Sequence, residues 1–204
     1  MIWAGNPVNF SVCGSKSMSW NFHWVKEVLK PAKKKATAKK WSVTMDKEET
    51  CQYLTEQHIP YEVTEHKAVF HMGELDPSKL PYPDWLAKNL LIRDDKKRNY
   101  FLITVKGEKR VDLKTFRREH GLRPLCFASA ADLQTILGLT PGSVTPLGIL
   151  NDREHRVHFL MDEEFAGHKI GIHPNDNTAT VWLQADDLLE LIRKQGNEAG
   201  LIRI

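Results

Sequence analysis

The chain has 204 residues, enough for one domain with a substantial buried core, and its formal net charge is +3 at pH 7. That charge is uneven, because residues 1–44 hold eight lysines and one acidic residue for a net +7, whereas residues 45–204 carry a net −4. Residues 45–204 therefore lack the bulk positive charge that attracts nucleic acid nonspecifically. A nucleic-acid partner would have to be held by a local basic patch.

Cysteine usage and hydropathy indicate the compartment. The three cysteines, Cys13, Cys51 and Cys126, are isolated and form no CxxC pair, which argues against a disulfide framework and against a structural zinc site. No apolar run approaches the roughly eighteen residues of a membrane span, and the first residues lack a signal-peptide pattern. We therefore expect a cytoplasmic protein.

Residues 1–44 differ in composition from the rest of the chain. They combine four tryptophans with a lysine-rich run at 30–40 and show no sustained apolar periodicity, so a basic, disordered extension is expected. Three interpretations remain open: an arm that attracts phosphates, an organellar transit peptide (although the segment contains no arginine), or a segment outside the functional protein. We favour the third, with a domain over 45–204, because a well-formed helix is predicted immediately after Met45.

The first half of that domain is predicted to contain one helix, a short strand and a hairpin. A helix opened by an aspartate is predicted over 46–58, and a short strand follows at Tyr61–Thr64. Residues 72–87 hold three prolines and are predicted to be mostly loop. The apolar runs Lys88–Arg93 and Tyr100–Lys106 flank a charged segment, which predicts a β-hairpin with a solvated tip.

The second half is predicted to alternate capped helices with strands. Serine and glycine end signals place a helix over 130–137, between Ser129 and Gly138. The other predicted elements are a helix at Asp112–His120, strands at His155–Met161, His168–Ile172 and Thr178–Leu183, and a final helix at Ala185–Gln195. This pattern predicts a mixed α/β (α+β) fold: a single domain with a twisted, mostly antiparallel or mixed central sheet flanked by helices.

Most common catalytic signatures are missing from the sequence. The nine histidines form no HExxH or similar metal-ligand pattern, so no metal site is expected. No GxSxG elbow, Walker A loop or GxGxxG motif is present, which disfavours covalent, ATP-dependent and dinucleotide chemistry. Cys51 and Cys126 lie in apolar surroundings and are predicted to be core cysteines rather than reactive thiols.

The segment Gly138–Gly148 (GLTPGSVTPLG) is neutral and holds three glycines and two prolines. Pro141 followed by Gly142 is strong turn chemistry, since proline sets φ near −65° and glycine accepts a positive φ. Local chemistry leaves two possibilities open. The segment is either a rigid turn between a helix and a strand, or a site where a ligand approaches the backbone N–H groups closely.

Two further residues invite the same question. Lys88 opens an apolar strand after the proline-rich loop, where its stem can lie along core surface and its ammonium can reach a cleft. A strand-end lysine that faces water is an equally good interpretation. His173 stands with proline and asparagine at a strand end, where both turn chemistry and a binding site are possible.

Four motifs, taken in order, resemble one known family: AKNLLIRD (87–94), RVDLKTF (110–116), LGLTPGSVTPLGILND (137–152) and GIHPNDNTATVWL (171–183). They are similar to the YbaK/prolyl-tRNA-synthetase-associated domain family, and especially to its freestanding prolyl-tRNA editing branch. The resemblance extends from about Met45 to the end of the chain. It implies a mixed α/β fold and a trans-editing hydrolase that deacylates mischarged alanyl-tRNA(Pro).

The resemblance also implies which residues form the site. Lys88 and Gly142 match the family's essential lysine and GxxxP motif and are expected to be catalytic. The expected substrate-binding residues are Thr145, Pro146, Asn151, Asp152, His173 and His71. His71 departs from the family pattern, because relatives usually carry threonine or serine at that position.

The implied reaction requires few functional groups. An aminoacyl ester is already activated, so the enzyme has to position water and stabilise an oxyanion, without metal or cofactor. A backbone N–H near Gly142 is expected to polarise the ester carbonyl, and cationic Lys88 to hold the phosphate or ribose of the terminal adenosine. The expected partner is the 3′ aminoacyl end of tRNA(Pro), with prolyl-tRNA synthetase as a further candidate. A cysteinyl-tRNA(Pro) deacylase and a non-catalytic tRNA-binding module remain the alternatives.

Overall fold

In the computed structural model, the described residues 44–69 and 74–204 form eight β-strands and four α-helices. Their bounds, in chain order, are α1 (Lys47–Glu56), β1 (Tyr61–Glu65), β2 (Ala87–Asp94), β3 (Tyr100–Lys106), α2 (Leu113–Glu119), β4 (Leu125–Phe127), α3 (Ala130–Leu137), β5 (Val157–Asp162), β6 (Lys169–Ile172), β7 (Ala179–Gln184), α4 (Ala185–Gln195) and β8 (Ala199–Ile202). The predicted basic extension, apart from Thr44, lies outside the described residues. None of the described helices is long and apolar enough to span a bilayer.

The strands form two sheets that meet at the beginning of β2. The larger sheet has the order β4-β2-β3-β5-β8, with antiparallel pairing up to β3 and parallel pairing from β3 onward. The smaller sheet, β1-β7-β6, is antiparallel throughout. A parallel bridge between Leu86 and Gly171 joins them. This bridge brings the residues that open β2 beside those that end β6.

Helix ends follow local capping chemistry. The Asp46 side chain accepts a hydrogen bond from the Glu49 amide at 2.8 Å at the start of α1. Ser129 and Asp132 form a reciprocal capping box at the start of α3, and Gly138 ends that helix with φ of 66°. Because these signals are local, the predicted helices over 46–58 and 130–137 are confirmed to within two residues.

The core lies on both faces of the larger sheet. Along β3, Leu102 packs into a large cluster with α3 and α4, whereas Phe101 and Ile103 pack into a smaller cluster that includes Phe116 of α2. This alternation follows the two-residue period of a strand. Burial on both faces makes β3 a rigid central support, and its partner strand β2 carries Lys88.

The predicted fold class and the β2–β3 hairpin are confirmed. The sequence pattern did not indicate strands β4 and β8, and the expectations for the start of β5, for Cys126 and for Cys51 need correction. The strand predicted from His155 begins at Val157, because His155 adopts φ of 52° in the preceding turn. Cys126 is exposed rather than buried, since it lies on edge strand β4 beside Phe127, which is 61% exposed. Cys51 is only partly buried against the core.

Candidate active site

A cavity of about 170 Å³ opens where the two sheets meet. Its polar lining comes from Lys88, Asn89, His173 and Thr180, together with the backbone of Gly142. The apolar lining includes Val69, Leu75, Leu86 and Ile172. An apolar cavity of about 150 Å³ takes up benzene, so this space is sufficient for a small side chain and its ester group. The cavity therefore combines a neutral wall with one cation and one imidazole.

Lys88 lies at the second position of β2, half-buried in the cavity wall. Its Nζ donates a hydrogen bond to the main-chain carbonyl of Lys109. Burial lowers the pKa of Lys88 below its ordinary value; the charge of Arg110 acts in the same direction and Glu108 opposes both. Within the described ranges no carboxylate forms an ion pair with Lys88. The ammonium is thus available to an anionic group of a ligand.

The Pro141–Gly142 segment is a tight turn. The Ser143 amide donates to the Thr140 carbonyl at 3.1 Å, and Gly142 has φ of 93°, as a type II turn requires. Asn89 on β2 donates from Nδ2 to the Val144 carbonyl at 3.2 Å, so the strand that carries Lys88 also anchors this turn. The turn interpretation is therefore correct, and the same turn forms one wall of the cavity.

Thr145 and Pro146 follow the turn, and Thr145 ties it to the backbone of His173. The fully buried Thr145 donates from Oγ1 to the His173 carbonyl at 2.6 Å and caps the 3-10 helix Pro146–Asn151, in which Pro146 occupies the first turn. Neither side chain is among those that line the cavity. Their contacts position the turn against His173, and a direct contact with substrate stays a prediction.

His173 lines the same cavity as the turn. Its Nδ1 is 2.9 Å from the Ala179 carbonyl; because a carbonyl can only accept, Nδ1 carries the proton and Nε2 of the neutral ring keeps its lone pair. Burial lowers the pKa of His173, nearby His66 lowers it further, and the hydrogen bond to Ala179 opposes them. His173 is therefore a neutral imidazole near pH 7.

Three polar neighbours of these groups were missed by sequence reasoning. Thr180 lines the cavity and lies 3.0 Å from Nε2 of His66, whose ring is 6.1 Å from that of His173. Asn89 accepts from Thr104 Oγ1 at 2.7 Å while it holds the turn. A signal existed for Thr180, since it is a polar residue among the apolar residues 179–183 of β7.

Asn151 and Asp152 lie at the far end of the 3-10 helix, away from this cavity. Asn151 accepts from the Met45 amide at 2.8 Å and donates to the Leu137 carbonyl at 2.8 Å. Asp152 is buried and accepts from the Val157 amide and from Asn197, both at 2.8 Å. These contacts are structural, and substrate binding by either residue stays a prediction. His71 lies outside the described residues.

No group of three or more histidine, cysteine, aspartate or glutamate side chains in the described part of the chain is arranged to hold a metal ion. The polar groups among the described lining residues are a cation, a neutral imidazole, a glycine backbone, a carboxamide and a hydroxyl. Such groups can bind a phosphate or ribose, polarise a carbonyl and accept a proton from water. The arrangement suits hydrolysis of a small activated ester.

Comparison with known proteins gives matches over most of the chain. The profile of the aminoacyl-tRNA editing domain matches residues 66–191. Prolyl-tRNA editing protein ProX of Acetoanaerobium sticklandii is 36% identical over 152 residues, which span 74% of this chain and 93% of that protein. Prolyl-tRNA synthetase associated domain-containing protein 1 of Bos taurus is 32% identical over 152 residues, or 72% of this chain and 88% of that protein.

A solved structure supports the fold. A crystal structure described as a candidate trans-editing enzyme for prolyl-tRNA synthetase superposes with a TM-score of 0.56 over 78% of this chain and 98% of that one. The two sequences are 19% identical over that match. At that identity the likeness concerns the fold alone.

Proposed function

Because this chain belongs to the aminoacyl-tRNA editing domain family, a family of deacylases, we propose that it hydrolyses mischarged alanyl-tRNA(Pro). Water adds to the carbonyl carbon of the ester, and the tetrahedral oxyanion collapses with release of alanine. The ribose oxygen leaves with a proton and regenerates free tRNA. The reaction would protect the fidelity of translation at proline codons. Its substrate would be met in the cytoplasm.

The observation that carries the proposal is that Lys88, Gly142 and His173 line one small cavity in which Lys88 is the cation among the described lining residues. Lys88 binds the phosphate or ribose of the terminal adenosine, because it is a cation without an ion pair among the described residues. The amide N–H near Gly142 faces the ester carbonyl as an oxyanion donor, a contribution commonly worth about 3 kcal/mol. The neutral wall accommodates the methyl group of alanine.

The proton of the attacking water requires an acceptor. His173 offers Nε2, since Nδ1 is committed to the Ala179 carbonyl. The 2′-hydroxyl of the substrate's own terminal ribose is the second candidate. A tRNA that ends in 2′-deoxyadenosine distinguishes them: loss of turnover with that tRNA assigns the role to the hydroxyl, and retained turnover assigns it to His173.

Selectivity follows from size. A synthetase pocket shaped for proline rejects alanine weakly, because each missing methylene is worth only about 1–3 kcal/mol. A second sieve that admits alanine and excludes the proline ring by its shape restores the discrimination, and we place it at the cavity wall formed by Val69, Leu86 and Ile172. Cysteine is close to alanine in size, so cysteinyl-tRNA(Pro) is the competing substrate.

The test uses the full chain in catalytic amounts with alanyl-, cysteinyl- and prolyl-tRNA(Pro), and compares Lys88→Ala with Lys194→Ala as a matched exposed-lysine control. We expect rapid loss of alanine alone, which Lys88→Ala slows greatly and Lys194→Ala leaves unchanged. Release of cysteine without release of alanine would identify cysteinyl-tRNA(Pro) as the substrate instead. Retention of all three amino acids with tight tRNA binding would leave a non-catalytic tRNA-binding module. Addition of prolyl-tRNA synthetase to the same assay tests it as a partner.

A further inference from the structure

The turn that follows β3 holds the ammonium group of Lys88. The Lys109 carbonyl accepts the hydrogen bond from Lys88 Nζ. The turn itself is closed by the Lys109 amide, which donates to the Lys106 carbonyl at 2.9 Å, and is tied to the chain before β2 by the Gly107 amide, which donates to Leu86 at 3.0 Å. The position of Lys88 therefore depends on where this turn is held.

The side chain of Lys109 anchors the turn to the core of the larger sheet. Its Nζ lies 2.6 Å from Asp162 Oδ2 and 2.6 Å from Glu164 Oε1. The Asp162 side chain, at the end of β5, is only 1% exposed. Burial acts to lower the pKa of Lys109, but its contacts with the carboxylates of Asp162 and Glu164 outweigh burial and raise that pKa. Lys109 is thus a fully charged residue fixed between two carboxylates.

This ion pair differs from a surface salt bridge in its burial. Exposed pairs contribute little because water screens them, whereas a buried carboxylate depends on its partner. The neighbouring Lys106 approaches Glu164 at 3.7 Å and lies over the Trp85 ring at 4.1 Å. Among the described residues, Lys109 is the cation that pairs with Asp162.

We propose that Lys109 is a positioning residue: its ion pair with buried Asp162 fixes the turn whose carbonyl holds the Lys88 ammonium at the cavity wall. Lys109 itself does not line the cavity, so it acts through Lys88. Its effect on catalysis rests on the proposed deacylase activity. Its effect on the location of Lys88 does not.

The test removes the ion pair without leaving a buried charge. The single change Lys109→Gln would leave the Asp162 carboxylate unpaired, so the variant is Lys109→Gln with Asp162→Asn, checked for folding by thermal unfolding. We expect kcat for deacylation to fall about 10-fold or more, since small displacements of a positioning group are costly, with a smaller change in KM. As a single change in the parent chain, Lys109→Arg keeps the charge and should retain most of the activity.

A double-mutant cycle and a titration exclude a merely structural role. In a Lys88→Ala background the pair variant should lower kcat by less than a further factor of about two. The reason is that the effects of residues acting through the same group are non-additive. By NMR of the lysine side chains, the pKa of Lys88 should rise in the pair variant toward the ordinary value. The charges that face Lys88 in this measurement are Glu108 and Arg110, which are unchanged. Lys47→Gln, which breaks a pair of the same length, 2.6 Å, with the exposed Glu65, is the surface-pair control.

The outcomes separate this proposal from the proposed function. An unchanged Lys88 titration together with kcat within about twofold of the parent in the folded pair variant would overturn the positioning role. A parent chain that leaves every aminoacyl-tRNA intact would overturn the deacylase proposal. In that case the Lys88 titration still decides whether Lys109 positions Lys88.

Discussion

The two ends of β2 carry basic residues in opposite electrostatic settings. At the hairpin end, Arg93 Nε lies 3.2 Å from Asp132 Oδ2 and Lys97 Nζ lies 3.7 Å from Asp132 Oδ1, so one carboxylate pairs with both cations. Arg123 binds Asp95 nearby at 2.7 Å. At the cavity end, Lys88 donates to a main-chain carbonyl and has no ion pair within the described ranges. One strand of eight residues thus runs from a neutralised cluster to an uncompensated cation.

The contrast separates charges that are paired within the fold from the charge for which we propose a ligand-binding role. Burial acts to raise the pKa of Asp132, but hydrogen bonds from Ser129 and the charge of Lys97 bring it to about 2. The pKa of Lys88 is lowered instead, which disfavours the charged form, because no ion pair in the described part of the chain offsets the burial of the ammonium. A strained charge in a cavity is typical of a functional site. The charges of Arg93, Lys97 and Asp132, in contrast, are explained by their pairing within the fold.

The largest expected effect comes from removing the uncompensated cation. Lys88→Ala should lower kcat/KM for alanyl-tRNA(Pro) by about 100-fold or more, because it removes the group that fixes the substrate beside the turn. The free energy of unfolding should fall by only about 1 kcal/mol, since the change removes one hydrogen bond to a main-chain carbonyl and breaks no ion pair among the described residues. Single-turnover deacylation and urea unfolding measure the two quantities. Activity within tenfold of the parent would contradict the contrast between the two ends.

A second prediction concerns the turn that lines the same cavity as Lys88. Gly142→Ala should cost about 1–2 kcal/mol of stability, because φ of 93° is unfavourable for a residue with a Cβ. It should also lower kcat about 10-fold by moving the amide that faces the ester. Gly121→Ala is the matched control, since Gly121 has φ of 61° and open space around its Cβ position. Equal loss of kcat in both variants would show that stability, not the site, is responsible.

Local chemistry predicted some parts of this molecule and could not predict others. Caps such as Asp46 and Ser129 act within one helical turn, so the helix ends could be predicted from neighbouring residues. The three-residue β4 and four-residue β8 depend on pairing with β2 and β5, and such short segments carry too little pattern to identify. Family resemblance, rather than periodicity, singled out Lys88, Gly142 and His173. The tethers from Asn89 and Lys109 could not be predicted because each joins segments that meet only in the folded chain.

A third prediction is the pH dependence of the cavity end. Protonated His173 cannot accept a proton, and its pKa lies below the ordinary 6.5. Activity should therefore be flat from pH 8 to about 6.5 and fall as the solution is acidified further. The unfolded chain binds this proton more readily, so the contribution of His173 to stability is present above about pH 6.5 and is lost below it. His173→Gln should remove the acid limb of the rate profile; an unchanged limb would assign it to another group.

The smallest expected effect on activity comes from the paired end of β2. Asp132→Asn should leave kcat within about twofold of the parent, because the cluster lies at the end of β2 remote from Lys88. Stability should fall by about 1–2 kcal/mol, since the change weakens the capping box and the contacts to Arg93 and Lys97. The folded pKa of Asp132, about 2, lies below its ordinary 3.8, so its stabilisation is present above about pH 4 and is lost as pH falls toward 2. The Asn variant should lack that loss in urea unfolding at pH 2–4. A larger fall in kcat than in stability would mean that the hairpin end also contacts the tRNA.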